Sequence, residues 1–329
     1  MNQSSQTHYQ HPWIKRITTW ALMLLILLIG TSNIVIGDTP EDYVPGQTYW
    51  GRNQYIEYIA GNMPIVISAP HGGYLTPSEI PFRTCGSSTG LDTFSQEYTR
   101  QVVEYLHQKT GRYPHVIINK LHRSRLDANR DIGEAACGNQ WAEQAWQEYH
   151  AFIDAAQDKV AAQFSHGLYL DFHTNGHSSQ WVELGYLLSS YDLSLSAQQL
   201  NTDYYKNKSS VKSLSHQTGV YFPELIRGPS SLGGLMQAKG YKSVPSPAYP
   251  DPNGASYYNG GYNTWVHGSR DGGTIDGIQV EVYWGMVTDS KRDAFSRALA
   301  ESIQKMIDSY YDWYLYFDEH AYVPFISGQ

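Results

Sequence analysis

Apolar and polar positions alternate along this chain with two different periods. Six short runs, either continuously apolar or alternating, predict β-strands at residues 55–60, 64–69, 116–119, 167–173, 183–188 and 278–283. Three segments carry apolar residues at every third or fourth position and predict helices at residues 92–109, 139–164 and 289–311. Strands that alternate with helices are typical of an α/β fold. The pattern therefore predicts a single three-layer domain with a mixed, largely parallel sheet flanked by helices.

Two connections in this pattern carry predictions of their own. The turn Gly-Asn-Met at residues 61–63 predicts a hairpin between the first two strands. Residues 190–275 show no clear period and are rich in Ser, Gly, Pro and Tyr. So long an irregular region inside one domain predicts loops that build or cover a site.

The N-terminus has the composition of an export signal. Lys15 and Arg16 precede an apolar run at residues 20–36, after which the chain turns acidic. This run is long enough either to be cleaved as a signal peptide or to stay in the bilayer as a transmembrane anchor. We predict an export signal or anchor at residues 1–37, a linker at 38–54 and the folded domain at 55–329. The domain is expected in the periplasm, on the cell surface or secreted, with membrane contact only through the N-terminal segment.

Charge and cysteine content narrow the class of partners. The net charge is −8 and no cluster of Lys and Arg is present, which argues against a nucleic-acid partner. The two cysteines, Cys85 and Cys137, suit the oxidising compartment of an exported protein. We expect a disulfide between them, with two free buried thiols as the alternative.

Polar side chains follow or interrupt several of the predicted strands. They are His71 in P-H-G-G, the stretch L-H-R-S-R-L-D-A-N-R-D at residues 121–131, D-F-H-T-N-G-H at residues 171–177, and Glu281 in I-Q-V-E-V. Open α/β sheets place their chemistry at the carboxyl ends of such strands. His173, with Asp171 two residues earlier, is a candidate metal ligand with an orienting carboxylate close by.

These residue types suit the hydrolysis of an amide. The reaction needs an activated water, a group that shuttles its proton, and positive charge where the oxyanion develops. Zinc held by two histidines and a carboxylate, a nearby glutamate and an arginine supply these three functions.

The motifs S-A-P-H-G-G, R-S-R-L-D-A-N-R, D-F-H-T-N-G-H and I-Q-V-E-V together resemble the N-formylglutamate amidohydrolase family. That family is similar in fold to zinc carboxypeptidases and aspartoacylases. The resemblance covers about residues 55–310 with the motifs in the expected order. It implies a zinc-carboxypeptidase-like fold and one Zn²⁺ per chain.

The resemblance also implies roles for individual residues. His71 and His173 match metal ligands, and Glu281 matches the general base that activates water. Arg123 stands where an arginine would polarise the scissile carbonyl, and Arg125 fits the pattern equally well.

The same resemblance assigns substrate contacts. Asn129 and Arg130, in D-A-N-R, match the residues that would bind a substrate carboxylate, which an arginine can do in a bidentate manner. Tyr262 is a further candidate, as a loop residue that closes over the substrate.

The third metal ligand departs from the peptidase pattern. Related peptidases use H-x-x-E, but three residues after His71 stands Tyr74, which cannot serve. The resemblance points instead to Asp92 at the start of the next helix, where the plain alternative is a helix N-cap. Glu97 is the second candidate and Glu79 the third.

Each assignment has a structural alternative. Glu281 in an apolar strand could belong to a buried salt bridge, and the arginines of residues 123–130 could form a solvated charged surface beside Asp127 and Asp131. His122, His177 and His267 are expected near the site or at the surface rather than as ligands.

These observations predict an exported zinc-dependent hydrolase that cleaves an amide C–N bond next to a carboxylate-bearing group. The substrate would be a small molecule or a peptide, as for an N-formylglutamate amidohydrolase, a carboxypeptidase or a γ-glutamyl hydrolase. The alternative is a non-catalytic extracellular binding module that reads anionic ligands through residues 123–130. A serine hydrolase is excluded because no G-x-S-x-G follows a strand.

Overall fold

Strands and helices alternate as the sequence pattern predicts in a computed structural model of the chain, which describes residues 43–86, 88–217 and 219–311. The predicted export segment at residues 1–37 lies outside the described residues. Among the helices that the structure does describe, none combines the length and the apolar character needed to cross a bilayer.

The strands of the described residues form one sheet. They are β1 (Thr48–Trp50), β2 (Ile56–Ile59), β3 (Ile65–Ala69), β4 (His115–Asn119), β5 (Gly167–Asn175), β6 (Val182–Gly185), β7 (Ser243–Val244) and β8 (Ile275–Tyr283). The helices are α1 (Ser95–Thr110), α2 (Ile132–Ala136), α3 (Gln140–Phe164), α4 (Ser190–Ser194), α5 (Ala197–Leu200), α6 (Asp203–Lys208), α7 (Lys212–Ser215), α8 (Phe222–Arg227), α9 (Leu232–Ala238), α10 (Tyr262–His267) and α11 (Arg292–Tyr310).

The sheet has eight strands in the order β1-β2-β4-β3-β5-β8-β6-β7. Its centre, β4-β3-β5-β8, is parallel, while β1, β2 and β6 run antiparallel to their inner neighbours. The fold prediction, a mixed and largely parallel sheet flanked by helices, is therefore confirmed. Because the central strands are parallel, their carboxyl ends meet at one edge of the sheet.

The two faces of the sheet differ in polarity because side chains alternate along each strand. Phe172 of β5 faces α1, where its ring stacks on Tyr98, and Tyr98 in turn contacts Phe295 of α11. Asp171 and His173 point to the other face, which α3 and α10 cover. The polar residues that the sequence places in buried strands therefore share one side of the sheet.

The predicted hairpin between the first two strands is wrong. β4 lies between β2 and β3, antiparallel to the first and parallel to the second. The crossover through α1 returns the chain parallel to β3 and fills the place that the hairpin partner would take. The turn at residues 61–63 contacts the entry to β4 instead, since the Asn62 amide donates to the carbonyl of Tyr113 at 2.8 Å.

Other segments also differ from the sequence pattern. The region 190–275, expected to be irregular, contains the short helices α4–α10 and the strand β7. These helices have four to seven residues, too short for a helical period to be visible in the sequence. Thr48–Trp50, in the segment expected to be a linker, forms β1 and pairs with β2.

Candidate metal centre

Three side chains from three elements converge at the carboxyl edge of the sheet. His71 follows β3, Asp92 precedes α1, and His173 lies in β5. His71 Nδ1 and His173 Nδ1 are 3.2 Å apart, and Asp92 Oδ2 lies 3.3 Å from the first and 2.9 Å from the second. All three residues are buried, and they form a group suited to hold a metal ion.

The remaining ring nitrogen of each histidine faces a buried carboxylate. His71 Nε2 lies 2.6 Å from Asp127 Oδ1, and His173 Nε2 lies 2.9 Å from Asp171 Oδ2. Each Nε2–H donates a hydrogen bond to its carboxylate, so in the neutral imidazole each Nδ1 keeps a lone pair that can bind a metal. Metal-binding histidines are oriented by carboxylates in this manner.

Two imidazole lone pairs and a carboxylate oxygen therefore share one small volume. With both imidazoles neutral these three acceptors repel one another, and either a proton on His173 or a metal cation at their common point removes that repulsion. In a tetrahedral zinc site with bonds of about 2.0–2.2 Å, ligand atoms stand about 3.3–3.5 Å apart. The observed separations of 2.9–3.3 Å are close to this spacing, and the donor set therefore fits a divalent metal ion.

The electrostatics of the group favour positive charge. Burial opposes the charged form of His173, but Asp171, Asp92 and Glu281 together raise its pKa well above the ordinary range. Burial would likewise raise the pKa of Asp92, yet His71 and His173 lower it below its ordinary value. The acidic surroundings that hold a proton on His173 would equally stabilise a metal cation at this point.

The turn before α1 positions Asp92. Its amide donates to the carbonyl of His71 at 3.3 Å, and Thr174 Oγ1 donates to the carbonyl of Thr93 at 2.9 Å. Phe94 has a φ of 68°, in the left-handed region, and occupies the N-cap position of α1 without a capping side chain. Asp92 therefore does not cap the helix; its carboxylate faces the histidines.

The glycines after His71 allow close packing of backbone. A Cβ on Gly72 would lie 2.8 Å from the backbone nitrogen of Gln96, and a Cβ on Gly73 would lie 2.4 Å from the carbonyl oxygen of Leu121. The chain after β3 thus packs directly against the start of α1 and the end of β4, which fixes the position of His71.

The other two candidates for the third ligand point elsewhere. Glu97 Oε1 accepts a hydrogen bond from the Tyr74 hydroxyl at 3.1 Å, and Glu79 accepts from the hydroxyl of Tyr55 and from Asn53. Of the three carboxylates, Asp92 alone belongs to the histidine group among the described residues.

The two candidate arginines are placed differently. Arg123 Nε donates to Asp127 Oδ2 at 2.9 Å, and its Nη1 lies 3.6 Å from Asp92 Oδ1. Arg125 instead donates to the carbonyl of Ile80 at 3.0 Å. Of the two guanidinium groups, that of Arg123 is therefore the one next to the histidine group.

Asn129 lies behind His173 and is 3% exposed. Its Nδ2 is 3.3 Å from His173 Nε2, and its Oδ1 accepts from the amide of Asn263 at 2.8 Å. Arg130 pairs with Glu134 at 3.2 Å and is partly exposed. Asn129 thus contacts a candidate ligand directly, while the predicted binding of a substrate carboxylate by these two residues stays a prediction.

Tyr262 is the first residue of α10 rather than part of a loop. Its ring contacts those of His150 and Trp146, with centroids 5.7 Å and 6.2 Å away. Its contact with substrate stays a prediction.

Glu281 is 5% exposed and is the register partner of His173 in the parallel pair β5–β8. Partners in adjacent strands project to the same face, so the carboxyl faces the histidine side of the sheet. Oε1 accepts from Gln279 Nε2 at 2.9 Å, and Oε2 has no hydrogen-bond partner in the described structure. No salt bridge to Glu281 is formed within the described residues, which leaves one oxygen available for other chemistry.

The pKa of Glu281 is raised to about 8, chiefly by burial. The charge of His173 acts in the opposite direction, while Asp92 and Glu183 raise the pKa further. A nearby metal cation would lower this pKa and favour the carboxylate form.

Sequence reasoning missed Arg83, a buried arginine that joins two segments of the site. Its backbone amide donates to the carbonyl of Ser124 at 2.7 Å, and its guanidinium donates to the carbonyls of Arg123 and Glu134 at 3.0 and 2.8 Å. Nη2 lies 3.5 Å from Asp127 Oδ2. The signal in the sequence was weak, because Arg83 is an isolated cation in a polar loop.

The expected disulfide between Cys85 and Cys137 is present, with a Cα–Cα distance of 5.7 Å. It joins the loop that carries Arg83 to the end of α2, so a covalent link and a buried cation hold the same two segments together.

Comparisons with known proteins extend these observations. No protein-family model matches the sequence, and a search of curated proteins found no match. The crystal structure of an N-formylglutamate amidohydrolase from Ralstonia eutropha is similar to this chain, with a TM-score of 0.50 and 11% sequence identity over 78% of this chain and 98% of that one. A gene product from Agrobacterium tumefaciens is similar with a TM-score of 0.45 and 13% identity, over 78% and 95% of the two chains. The first likeness shows that the chain shares the fold of that amidohydrolase.

Proposed function

We propose that this protein is a zinc-dependent hydrolase that cleaves an amide C–N bond next to a carboxylate-bearing group. The observation that carries the proposal is the convergence of His71, Asp92 and His173, with each imidazole held by its own buried carboxylate. The shared fold with an N-formylglutamate amidohydrolase adds support. We further propose that the enzyme is exported, as the N-terminal sequence predicts.

Each residue of the group would have a distinct part. A zinc ion bound by His71, Asp92 and His173 would lower the pKa of water and polarise a carbonyl oxygen. Glu281, on the same face as His173, takes a proton from the attacking water as the oxygen adds to the carbonyl carbon. The same proton then reaches the leaving nitrogen as the C–N bond breaks, giving a carboxylic acid and an amine.

Arg123 supplies positive charge beside the reacting carbonyl. Its hydrogen bond to Asp127 and its ion pair with Asp92 hold the guanidinium in place. A guanidinium held in this manner stabilises a developing oxyanion without reorganisation. Arg130, which is partly exposed, is the candidate for binding a substrate carboxylate.

The rival function is a non-catalytic module that binds anions through residues 123–130. Within that segment Arg123 and Arg130 are both paired with carboxylates, and Arg125 donates to a backbone carbonyl. Anion binding by this segment alone would also leave the buried group of His71, Asp92 and His173 without a role, so that group favours the hydrolase.

Metal content and turnover test the proposal together. We expect purified protein to hold about one zinc per chain by elemental analysis, and to release product from at least one of N-formyl-L-glutamate, an N-acyl dipeptide and a γ-glutamyl peptide. His173→Ala should lose the metal. Glu281→Gln should keep it and lower kcat roughly 100- to 10,000-fold, the usual contribution of a general base.

An exposed histidine outside the site gives the matched control. His216→Ala removes an imidazole whose one hydrogen bond among the described residues is to the side chain of Asn207, and it should change neither zinc content nor turnover. Protein without bound metal, or a Glu281→Gln enzyme with unchanged kcat, would refute the proposed function.

A further inference from the structure

A second polar cluster adjoins Glu281. His177 Nδ1 lies 2.8 Å from Glu183 Oε1, and the backbone amide of Tyr258 donates to Glu183 Oε2 at 2.8 Å. The rings of His177 and Tyr258 stack, with centroids 4.5 Å apart and an interplanar angle of 20°. Both oxygens of one buried carboxylate therefore hold the imidazole and the segment stacked on it.

The strand register places this cluster on the face of the metal centre. Glu183 of β6 is the register partner of Glu281 in β8, and Glu281 is the register partner of His173 in β5. Side chains of register partners project to the same face of the sheet. His173, Glu281 and Glu183 thus form a row across three adjacent strands, and His177 stands at its far end.

Tyr258 shares the electrostatic field of the site. Burial raises the pKa of its phenol, Glu281, Glu183 and Asp92 raise it further, and Arg123 opposes them. The residue is nevertheless 46% exposed. Tyr258 therefore lies at the surface within the field of the buried carboxylates.

The His177 imidazole has a fixed orientation and one uncommitted nitrogen. Glu183, whose side chain is fully buried, holds Nδ1, while the histidine side chain is 20% exposed. Within the described residues Nε2 makes no hydrogen bond. An unpaired carboxylate at 0% exposure is costly, so the pairing with His177 and Tyr258 satisfies it and fixes the orientation of the imidazole.

Arg123, the cation next to the histidine group, has little donor capacity left for a substrate. Arg123 directs Nε to Asp127 and lies 3.6 Å from Asp92, so two carboxylates already offset its charge. A carbonyl oxygen that becomes negative needs a second donor that is not committed in this manner.

We infer that His177 contacts the substrate as an imidazolium paired with the Glu183 carboxylate: Nδ1–H donates to Glu183, and Nε2–H donates a hydrogen bond to the carbonyl oxygen of the scissile amide as negative charge develops there. Glu183 and Tyr258 are positioning residues that fix the imidazole. This inference rests on the proposed hydrolase function and adds a substrate-contacting residue to it. The interaction is a hydrogen bond alone, and no bond to His177 forms or breaks.

Kinetics of three variants test the role. His177→Ala removes the donor and should lower kcat about 100-fold, as the loss of one oxyanion donor does, with KM changed less than about threefold. His177→Gln, whose amide nitrogen stands near the position of Nε2, should recover at least about tenfold of that loss. The kcat of Glu183→Gln should lie between those of His177→Ala and His177→Gln. The zinc content should stay at the wild-type value in all three variants.

The proposed function can fail separately from this inference. Wild-type protein with neither zinc nor turnover would end the hydrolase proposal, and a second measurement then still reports on His177. Nitrogen-15 NMR of ring-labelled histidines in Glu281→Gln protein should show a shift of the His177 Nε2 signal on addition of the substrate that turned over, or of N-formyl-L-glutamate if none did.

The signals are assigned from the spectrum of His177→Gln, and His216 serves as the internal control, with no expected shift. An unshifted His177 signal, or a His177→Ala enzyme with unchanged kcat, would overturn the inference.

Discussion

Each histidine of the candidate metal centre depends on a carboxylate that the sequence only partly revealed. Asp171 was predicted as the partner of His173 because it stands two residues earlier on the same face of a strand. Asp127, the partner of His71, was not predicted, since 56 residues separate the two. Contacts across such a distance depend on the strand order, which local patterns do not encode.

Loss of Asp127 should weaken metal binding without removing a ligand. Asp127→Asn keeps the volume but no longer fixes the proton on His71 Nε2, and we expect zinc affinity to fall about 10- to 100-fold. Competition with a chelating dye measures the change. Asp203→Asn, at an exposed position in α6, is the control, and equal affinities for the two variants would contradict the assigned role.

Metal binding should release protons. Without metal, the surrounding carboxylates raise the pKa of His173 well above its ordinary range, so the imidazole is protonated at pH 7. A ligand must lose that proton, and zinc affinity should therefore decrease as the pH falls. Calorimetric titration in two buffers of different ionisation enthalpy should show the release of about one proton or more at pH 7; equal heats in both buffers would count against this.

At the scale of elements, hydrophobic patterns predicted strands and helices well where they are long. α3 begins one residue after the predicted start, because Asn139 caps it by accepting from the amides of Trp141 and Ala142. β5 runs two residues past its predicted end, since Thr174 and Asn175 stay paired with β8. Local composition favoured a loop there, and pairing with a neighbouring strand outweighed it.

The loop that carries Arg83 and Cys85 should stabilise the site from outside. Arg83→Met leaves Asp127 without one cation and several carbonyls without a donor, and breaking such a buried network costs about 3–5 kcal/mol. We expect a lower free energy of unfolding in urea and weaker zinc binding. The exposed Arg297→Met supplies the comparison, with a change below about 1 kcal/mol.

The disulfide makes a separate contribution to the same loop. The two cysteines are 52 positions apart in the sequence, and for a loop of that length the chain-entropy relation gives a stabilisation of about 4 kcal/mol. The double variant Cys85→Ala/Cys137→Ala should lose stability of that order in thermal or urea unfolding, and an unchanged midpoint would show that contacts alone hold the two segments.

At the scale of the whole molecule, one buried acid should set part of the pH dependence of folding. Asp276 lies on the face of β8 away from Glu281, and burial raises its pKa to about 7 although Ser269 and Tyr311 donate to it. Between about pH 4 and 7 the folded state keeps a proton that the unfolded chain releases. The free energy of unfolding therefore falls as the pH rises through this window, by at most about 1.4 kcal/mol per pH unit.

Asp276→Asn tests this directly. The amide keeps the acceptor for Ser269 and does not ionise. As the pH rises from 5 to 8, wild type should therefore lose unfolding free energy relative to the variant. Urea unfolding at a series of pH values measures it. A difference independent of pH would exclude Asp276 as the titrating group.

Fold class and most ligands were accessible from the sequence because each rests on a local pattern: strands with polar ends, D-x-H, P-H-G-G. Asp92 was favoured over Glu97 and Glu79 by the family resemblance alone, and the turn that positions it, with Phe94 at positive φ, is not visible in any sequence period. The parts played by Arg83, Asp127 and Glu183 depended on the packing of distant segments. The sequence pattern therefore predicted the types of the elements but not the long-range contacts between them.

The nine consecutive register pairs between β5 and β8 also offer a way to move Glu281 by insertion rather than by substitution. One alanine inserted between Ile275 and Gln279 would rotate every later side chain of β8 to the opposite face and present a valine where the acid stands. Two inserted residues would restore the acid to its original side, although displaced along the strand. A single inserted residue could therefore inactivate the site without replacing any of its reactive residues.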